Sequence, residues 1–255
     1  MSNFPTQPFF SVVTVTFNAA ETIEYTLGSI LKQNKTLFEL IVIDGGSTDN
    51  TLEILNHAKE EIDVFISEPD KGIYDAMNKG INNASGEYVV FMNSGDCFFN
   101  EATLDDVYKK LTALDSKPDV IYGRHAVLTK TGTKAGLEPS FSTRPKHMPF
   151  CHQSVYARRE LLEMFHFNLS YKIAADYDFI LNCIRNESVF YDCNISLSIV
   201  SPGGLSDSCR IKVIKQYSDI YIKHFNPTIS VKIYWLFSIG KEILKMPIKR
   251  MLRFI

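Results

Sequence analysis

The sequence lacks the features of a cross-linked, membrane-spanning or nucleic-acid-binding protein. Its five cysteines, Cys97, Cys151, Cys183, Cys193 and Cys209, are scattered, odd in number and include no C-x-x-C pair. Neither a disulfide framework nor a zinc ribbon is indicated. Cys151 with His147 and His152 has no fourth ligand at sensible spacing, which excludes a zinc cluster there. No basic-then-apolar leader opens the chain, and no stretch approaches the roughly twenty apolar residues that a membrane-crossing helix needs. Reduced thiols in the cytoplasm are the expectation. The formal net charge of −2 gives no electrostatic reason to bind nucleic acid. Low-complexity linkers are absent, as is any internal repeat beyond the alternation described next.

What the chain does have is enough apolar material for a full core, with 45% of its 255 residues hydrophobic. Phe10 to Phe17 is an apolar β-type run ending at Asn18, and Ala20 to Gln33 carries Ile23, Leu27, Ile30 and Leu31 at helical spacing. Glu39 to Ile43 is a second strand that ends in Asp44 and breaks at once into Gly45-Gly46. Ser47 to Asp49 then supply capping oxygens for a helix over Thr51 to Ala58. Asp63 to Ser67 and Glu87 to Met92 read as further strands, separated by Ile73, Met77 and Ile81 at helical spacing. This βαβ alternation predicts an α/β fold whose ligand lies beyond the carboxyl ends of the strands. Four of those ends carry polar residues: Asn18, Asp44, Asp70 and the turn Asn93-Ser94-Gly95-Asp96. At each, an ordinary strand-to-helix turn is the plain alternative.

The order FSVVTVTFN, ELIVIDGGSTDNT, EPDKGIYDAMNKG, GEYVVFMNSGD and AADYDF resembles the large inverting glycosyltransferase family 2 with the GT-A fold. Within it the chain is most similar to bacterial enzymes building colanic-acid-type exopolysaccharide, capsule or O-antigen units. The resemblance spans roughly residues 9 to 210 and lies in motif order and spacing. It implies a Rossmann-like mixed sheet flanked by helices, a nucleotide-sugar donor and an acceptor hydroxyl.

The residues can be set against that chemistry. Asp44 can accept hydrogen bonds from nucleobase N–H groups, as the matching family residue does, and Phe17 offers the base an apolar face beside Asn18. Lys71, next to Asp70, suits a diphosphate. Family members usually hold Mg²⁺ or Mn²⁺ with an Asp-x-Asp pair at the fourth strand end; this chain departs from that, keeping Asp96 as the one carboxylate. Phosphate oxygens and water can complete a shell around a single carboxylate, so Asp96 is the expected metal ligand. Asn93 and Ser94 are expected on ribose or phosphate. Asp176 takes the place of the family's catalytic base at a helix start, with Asp178 as the alternative. His152 and Gln153 match a His-Gln element placed near acceptor or diphosphate. The loop Pro202-Gly203-Gly204-Leu205-Ser206, ahead of a helix over Asp207 to Phe225, matches a region that closes over the donor.

The expected organisation is one glycosyltransferase domain over residues 1–228, with a nucleotide-sugar half to about 125, an acceptor half from about 126, and a tail over 229–255. In the tail Lys232, Lys241, Lys245, Lys249, Arg250 and Arg253 alternate with apolar residues against one acid, Glu242. Such a segment suits a membrane surface, with Trp235 and Phe237 at headgroup level, or a helix packed on the protein or in a homodimer. The functional expectation is inverting transfer from a UDP- or GDP-sugar to a lipid-linked or saccharide acceptor in surface polysaccharide synthesis, in the cytoplasm or on the inner face of its membrane. A nucleotidyltransferase and a non-catalytic scaffold are the competing readings. The first would need a Lys/Arg-containing Gly-rich loop where Asn18-Ala19-Ala20-Glu21 stands; the second is motivated by Gly95.

Overall fold

The computed structural model describes residues 7–251, without the side chains of residues 205, 207 and 245–251. Along the chain run β1 (Phe10–Thr16), α1 (Ile23–Leu31), β2 (Phe38–Asp44), α2 (Thr51–His57), β3 (Val64–Ser67), α3 (Ile73–Asn83), β4 (Tyr88–Phe91), β5 (Cys97–Phe98) and α4 (Thr103–Thr112). There follow β6 (Val120–Thr129), β7 (Gly132–Ala135), β8 (Val155–Arg158), α5 (Arg159–Met164), α6 (Ala175–Arg185), β9 (Phe190–Val200), α7 (Leu205–Ser208), α8 (Arg210–Phe225) and α9 (Ile229–Met251). The strands form one mixed sheet in the order β3-β2-β1-β4-β8-β6-β9-β5, with β7 added to β6. β1 to β4 pair in parallel, β8 runs antiparallel to both β4 and β6, and β6 pairs with β9 in parallel. β6 crosses the expected boundary near residue 125, so the two anticipated halves share a single sheet.

Strand alternation sends successive side chains into two cores. Phe10 and Val12 of β1 meet Ile23, Leu27, Ile30, Leu55 and Leu104 on one face. Val13 and Val15 meet Tyr74, Met77, Ile81, Phe179 and Ile180 on the other. Burial on both faces explains why these strands read as continuous apolar runs. α3 lies close against β1, since a methyl group added at Gly80 would sit 2.4 Å from Val13 Cγ1.

Element starts differ slightly from the periodicity. α1 begins at Ile23 because Ala19 to Thr22 first makes a turn, with the Ala19 carbonyl accepting from the N–H groups of Thr22 and Ile23. The expected helix over Asp207 to Phe225 is two pieces, α7 and α8. α8 braces the start of α6: Gln216 Oε1 accepts from the Ile173 and Ala174 N–H groups, each at 3.1 Å, and His224 meets Asp178 at 2.8 Å. α9 packs on α8 through Trp235, which is 4% exposed among Ile214, Tyr221 and Ile239. Of the two expected placements for Trp235, the structure has the packed helix: Trp235 belongs to a helix–helix contact, while Phe237 faces solvent.

Candidate active site

The loops after β1 and β2 are stitched together by their own polar groups. Asn18 takes a left-handed backbone (φ 47°), a conformation asparagine tolerates better than most residues. Its Oδ1 accepts from the Thr48 N–H at 2.8 Å, while its own N–H donates to Ser47 Oγ at 2.8 Å. Asp44 is fully buried and accepts hydrogen bonds from the Gly46 and Ser47 N–H groups and from the hydroxyls of Ser47 and Ser67. Its carboxylate shapes the Gly45-Gly46 turn at the end of β2, the position at which a nucleobase contact is expected. A polar group shut away from water at this position must collect hydrogen-bond donors from the chain.

Phe17 projects outward, 59% exposed. It converges with Asp70 on Gly45, where an added methyl would lie 2.4 Å from Asp70 Oδ2 and 3.4 Å from the Phe17 ring. Lys71 is exposed; its N–H donates to Asp75 Oδ2 at 2.9 Å, and its carbonyl lies 3.4 Å from the Lys172 ammonium. The Lys172 ammonium thus reaches the backbone at Lys71, and both residues are exposed.

The turn after β4 is clamped from both sides. Gly95, at φ +97° where a side chain would be strained, donates its N–H to Thr26 Oγ1, and its carbonyl accepts from Ser201 Oγ. Asp96 is 7% exposed and receives Gln153 Nε2 on Oδ2 at 2.8 Å and the Ser201 N–H on Oδ1 at 3.0 Å. Burial pushes its carboxyl up from 3.8 to about 6, against the pull of those two donors. Nearby, Thr16 Oγ1, Asn93 Oδ1 and Ser94 Oγ are buried without a hydrogen-bond partner among the described residues. Buried polar atoms of this kind, gathered at adjacent strand ends, each call for a partner.

Asp176 sits in the first turn of α6, half-buried. The Tyr74 hydroxyl (3.0 Å) and the Tyr177 N–H (2.9 Å) both donate to its Oδ1. Desolvation, reinforced by the Asp176 charge, raises the Tyr74 phenol well above its usual value, so it remains a donor. Asp176 lines an apolar recess with Phe91, Met148, His152, Phe167 and Phe179. His152 stacks on Phe91 at 5.3 Å between ring centroids, and its Nε2 is buried without a partner. Burial lowers its basicity, the charge of Asp176 opposing, so the ring is neutral near pH 7. The adjacent pair His152-Gln153 thus connects the Asp176 recess to Asp96.

Asp178 is excluded from this cleft: it is 5% exposed and bonded to His224 of α8. Phe17, Asn18, Asp70, Lys71, Asn93, Ser94, Asp96, His152, Gln153 and Asp176 all fall along one edge of the sheet, with Asp44 beneath it. Sequence reasoning missed Tyr74, Lys172 and Ser201. Tyr74 carried a signal, a tyrosine in the first turn of the helix that follows Asp70-Lys71. Ser201 carried none, since its contact to Asp96 bridges 105 residues. Among the described residues no group of three His, Cys, Asp or Glu side chains is positioned to hold a metal ion.

The sequence model of the family described as Glycosyl transferase family 2 matches residues 11–165. The chain belongs to this family. It is 31% identical over 207 residues to a PGL/p-HBAD biosynthesis glycosyltransferase of Mycobacterium tuberculosis, covering 79% of this chain and 80% of that one. An uncharacterised glycosyltransferase of Haemophilus influenzae is 27% identical over 241 residues, covering 89% and 93%. Among solved structures, S. aureus TarS 1–349 in complex with UDP-GlcNAc aligns with a TM-score of 0.67 at 21% identity, over 85% of this chain and 67% of TarS. The mannosyltransferase PcManGT from Pyrobaculum calidifontis, in complex with GDP-Man and Mn²⁺, aligns at 0.66 and 18% identity, over 87% and 65%. The fold is GT-A and the enzyme is a glycosyltransferase. The nucleotidyltransferase and scaffold readings are set aside.

Proposed function

We propose that this glycosyltransferase moves a sugar, with inversion, from a UDP- or GDP-sugar to a hydroxyl of a lipid-linked saccharide in bacterial surface polysaccharide synthesis. The observation that carries the reading is the placement of Asp176 and Asp96 on one sheet edge, connected through His152-Gln153. Phe17 and the turn shaped by Asp44 support a base and ribose, with Asn18 and Asp70 flanking them. Asn93 and Ser94 bring unpartnered oxygens to the same edge, and Lys71 with Lys172 offsets diphosphate charge.

Asp176 takes the acceptor proton as the hydroxyl oxygen attacks the anomeric carbon from the face opposite the diphosphate. Tyr74 fixes the rotamer of that carboxylate, and the apolar recess excludes water that would compete as acceptor. If Mg²⁺ or Mn²⁺ is bound, Asp96 and Asn93 would be the residues to hold it through their hard oxygens, beside the donor's phosphates. Such an ion would stabilise the departing diphosphate.

The test is a thermal-shift panel of UDP, GDP, CMP and their sugar conjugates, with and without divalent ion, followed by transfer assays of Asp176→Asn. One nucleotide class should stabilise both proteins equally, while transfer falls about 10²- to 10⁴-fold in the variant. Transfer retained in Asp176→Asn would remove the base from Asp176. No stabilisation by any nucleotide would remove the cleft as drawn.

A further inference from the structure

α9 has two apolar faces, and only one is used. Val231, Trp235 and Ile239 pack toward α8. Ile229, Ile233, Leu236, Phe237, Ile243 and Leu244 recur at helical spacing and are exposed, Leu236 at 70% and Phe237 at 78%. Lys232 and Lys241 are exposed on the same helix. From residue 229 onward the sequence holds six basic residues against one acid; of these, Lys245, Lys249, Arg250 and Arg253 lie outside the described side chains.

We infer that α9 lies on an anionic lipid bilayer, its exposed apolar stripe set into the headgroup boundary and its basic residues against lipid phosphates. Charge complementarity decides the occupant. A second copy of this chain docked through the same stripe would bring two net-basic helices together, each with Glu242 as its one acid, whereas an anionic leaflet attracts each lysine. No described helix is long and apolar enough to cross a membrane, so the helix lies along the surface. α9 is tied through Trp235 to α8, and α8 through His224 and Gln216 to the start of α6. Docking therefore holds Asp176 in a fixed orientation relative to the bilayer. This deepens the lipid-linked acceptor reading and rests on it only for what that orientation serves.

The experiment is sedimentation of the full chain with vesicles of phosphatidylcholine alone or mixed with phosphatidylglycerol, in the absence of donor and acceptor. Binding is expected to the anionic vesicles, with partitioning reduced about fivefold for each of Lys232→Gln and Lys241→Gln. The double variant Leu236→Glu, Phe237→Glu should stop sedimenting. Its nucleotide-induced thermal shift, measured in parallel, should match the wild type. No binding to anionic vesicles, or equal binding to both compositions, overturns the inference. So does a solution dimer that the double glutamate variant dissolves, which would assign the stripe to self-association. Because no donor is present, failure here leaves the transferase reading standing, and failure of transfer leaves the membrane face standing.

Discussion

Gln153 Nε2 donates to Asp96 Oδ2 at 2.8 Å, joining the turn after β4 to the short segment before β8. Asp96 is buried, so this donor offsets part of the cost of keeping a carboxylate out of water. Removing it should be felt at both ends of the bond. Gln153→Ala is expected to lower Tm, with a loss of about 1–3 kcal/mol for an uncompensated charged acceptor. Transfer should fall more than donor affinity does, which steady-state kinetics beside calorimetry will separate. Unchanged stability would mean that water replaces the amide at no cost.

The raised Asp96 carboxyl makes stability depend on pH with a definite sign. Its usual value is 3.8, and in the folded protein it stands at about 6. Below about pH 4 both folded and unfolded chains are protonated there; between about 4 and 6 the folded chain holds a proton that the unfolded one has lost. Stability contributed at this position therefore decreases as pH rises through that window and is flat above it. A shift of about two units corresponds to about 3 kcal/mol. Asp96→Asn, which cannot ionise, should abolish this component. Thermal melts in EDTA from pH 4.5 to 7.5 check it: the variant should gain Tm over wild type as pH rises, and a constant difference would rule the effect out.

Tyr74 and Asp176 are 102 residues apart and meet at 3.0 Å. Tyr74→Phe deletes a hydroxyl whose single proton is shared between Asp176 Oδ1 at 3.0 Å and the Ile173 carbonyl at 2.9 Å. The expected cost is about 1–3 kcal/mol of stability, from the loss of the one buried donor that these two acceptors share. Turnover should fall about tenfold through the freed Asp176 rotamer, a loss of about 1.4 kcal/mol in transition-state stabilisation. Nucleotide affinity should hold, since Tyr74 is buried against α6 and not in the loops around Phe17. A fall in nucleotide affinity with turnover preserved would contradict the positioning role.

What could be read from the sequence was local. Apolar runs located β1 to β4, and the polar residues after β1, β3 and β4 placed Asn18, Asp70 and Asp96 on one edge. The start of α6 was legible because Ile180 and Cys183 follow Asp176 at helical spacing. Pairings were not legible where they join distant segments: β6 beside β9, β5 on β9, and Ser201 on Asp96 have no periodicity to announce them. Asp44 was correctly placed at a strand end, but its occupation by Ser47 and Ser67 depends on β2 lying beside β3. The placement of Trp235 stayed open for the same reason, since composition does not say which face of α9 meets α8.

Trp235 and Phe237 should therefore behave oppositely on truncation. Trp235→Ala empties a site packed by Ile214 and Tyr221, and is expected to cost about 3–5 kcal/mol, read as a lower Tm. Phe237→Ala removes a 78% exposed ring and should change stability by less than about 0.5 kcal/mol. Equal melting effects would refute the assignment of faces on α9.

Gly45 offers the sharpest test of the nucleotide side of the cleft. Its position is buried, and a methyl group there would meet Asp70 Oδ2 at 2.4 Å, Asp70 Cγ at 3.2 Å and the Phe17 ring at 3.4 Å. Of these, Asp70 is a flexible side chain that can swing away, so Gly45→Ala should fold. The displaced carboxylate gives up its bond to the Gly72 N–H, loosening the entrance to α3 beside Lys71. Nucleotide affinity should drop about tenfold, or about 1.4 kcal/mol, with Tm shifted by only a few degrees. Calorimetric titration with the nucleotide that stabilises the wild type decides the matter. Full affinity in Gly45→Ala would show that the Phe17, Gly45 and Asp70 convergence lies outside the donor's footprint, and the base would then have to rest elsewhere along the strand ends.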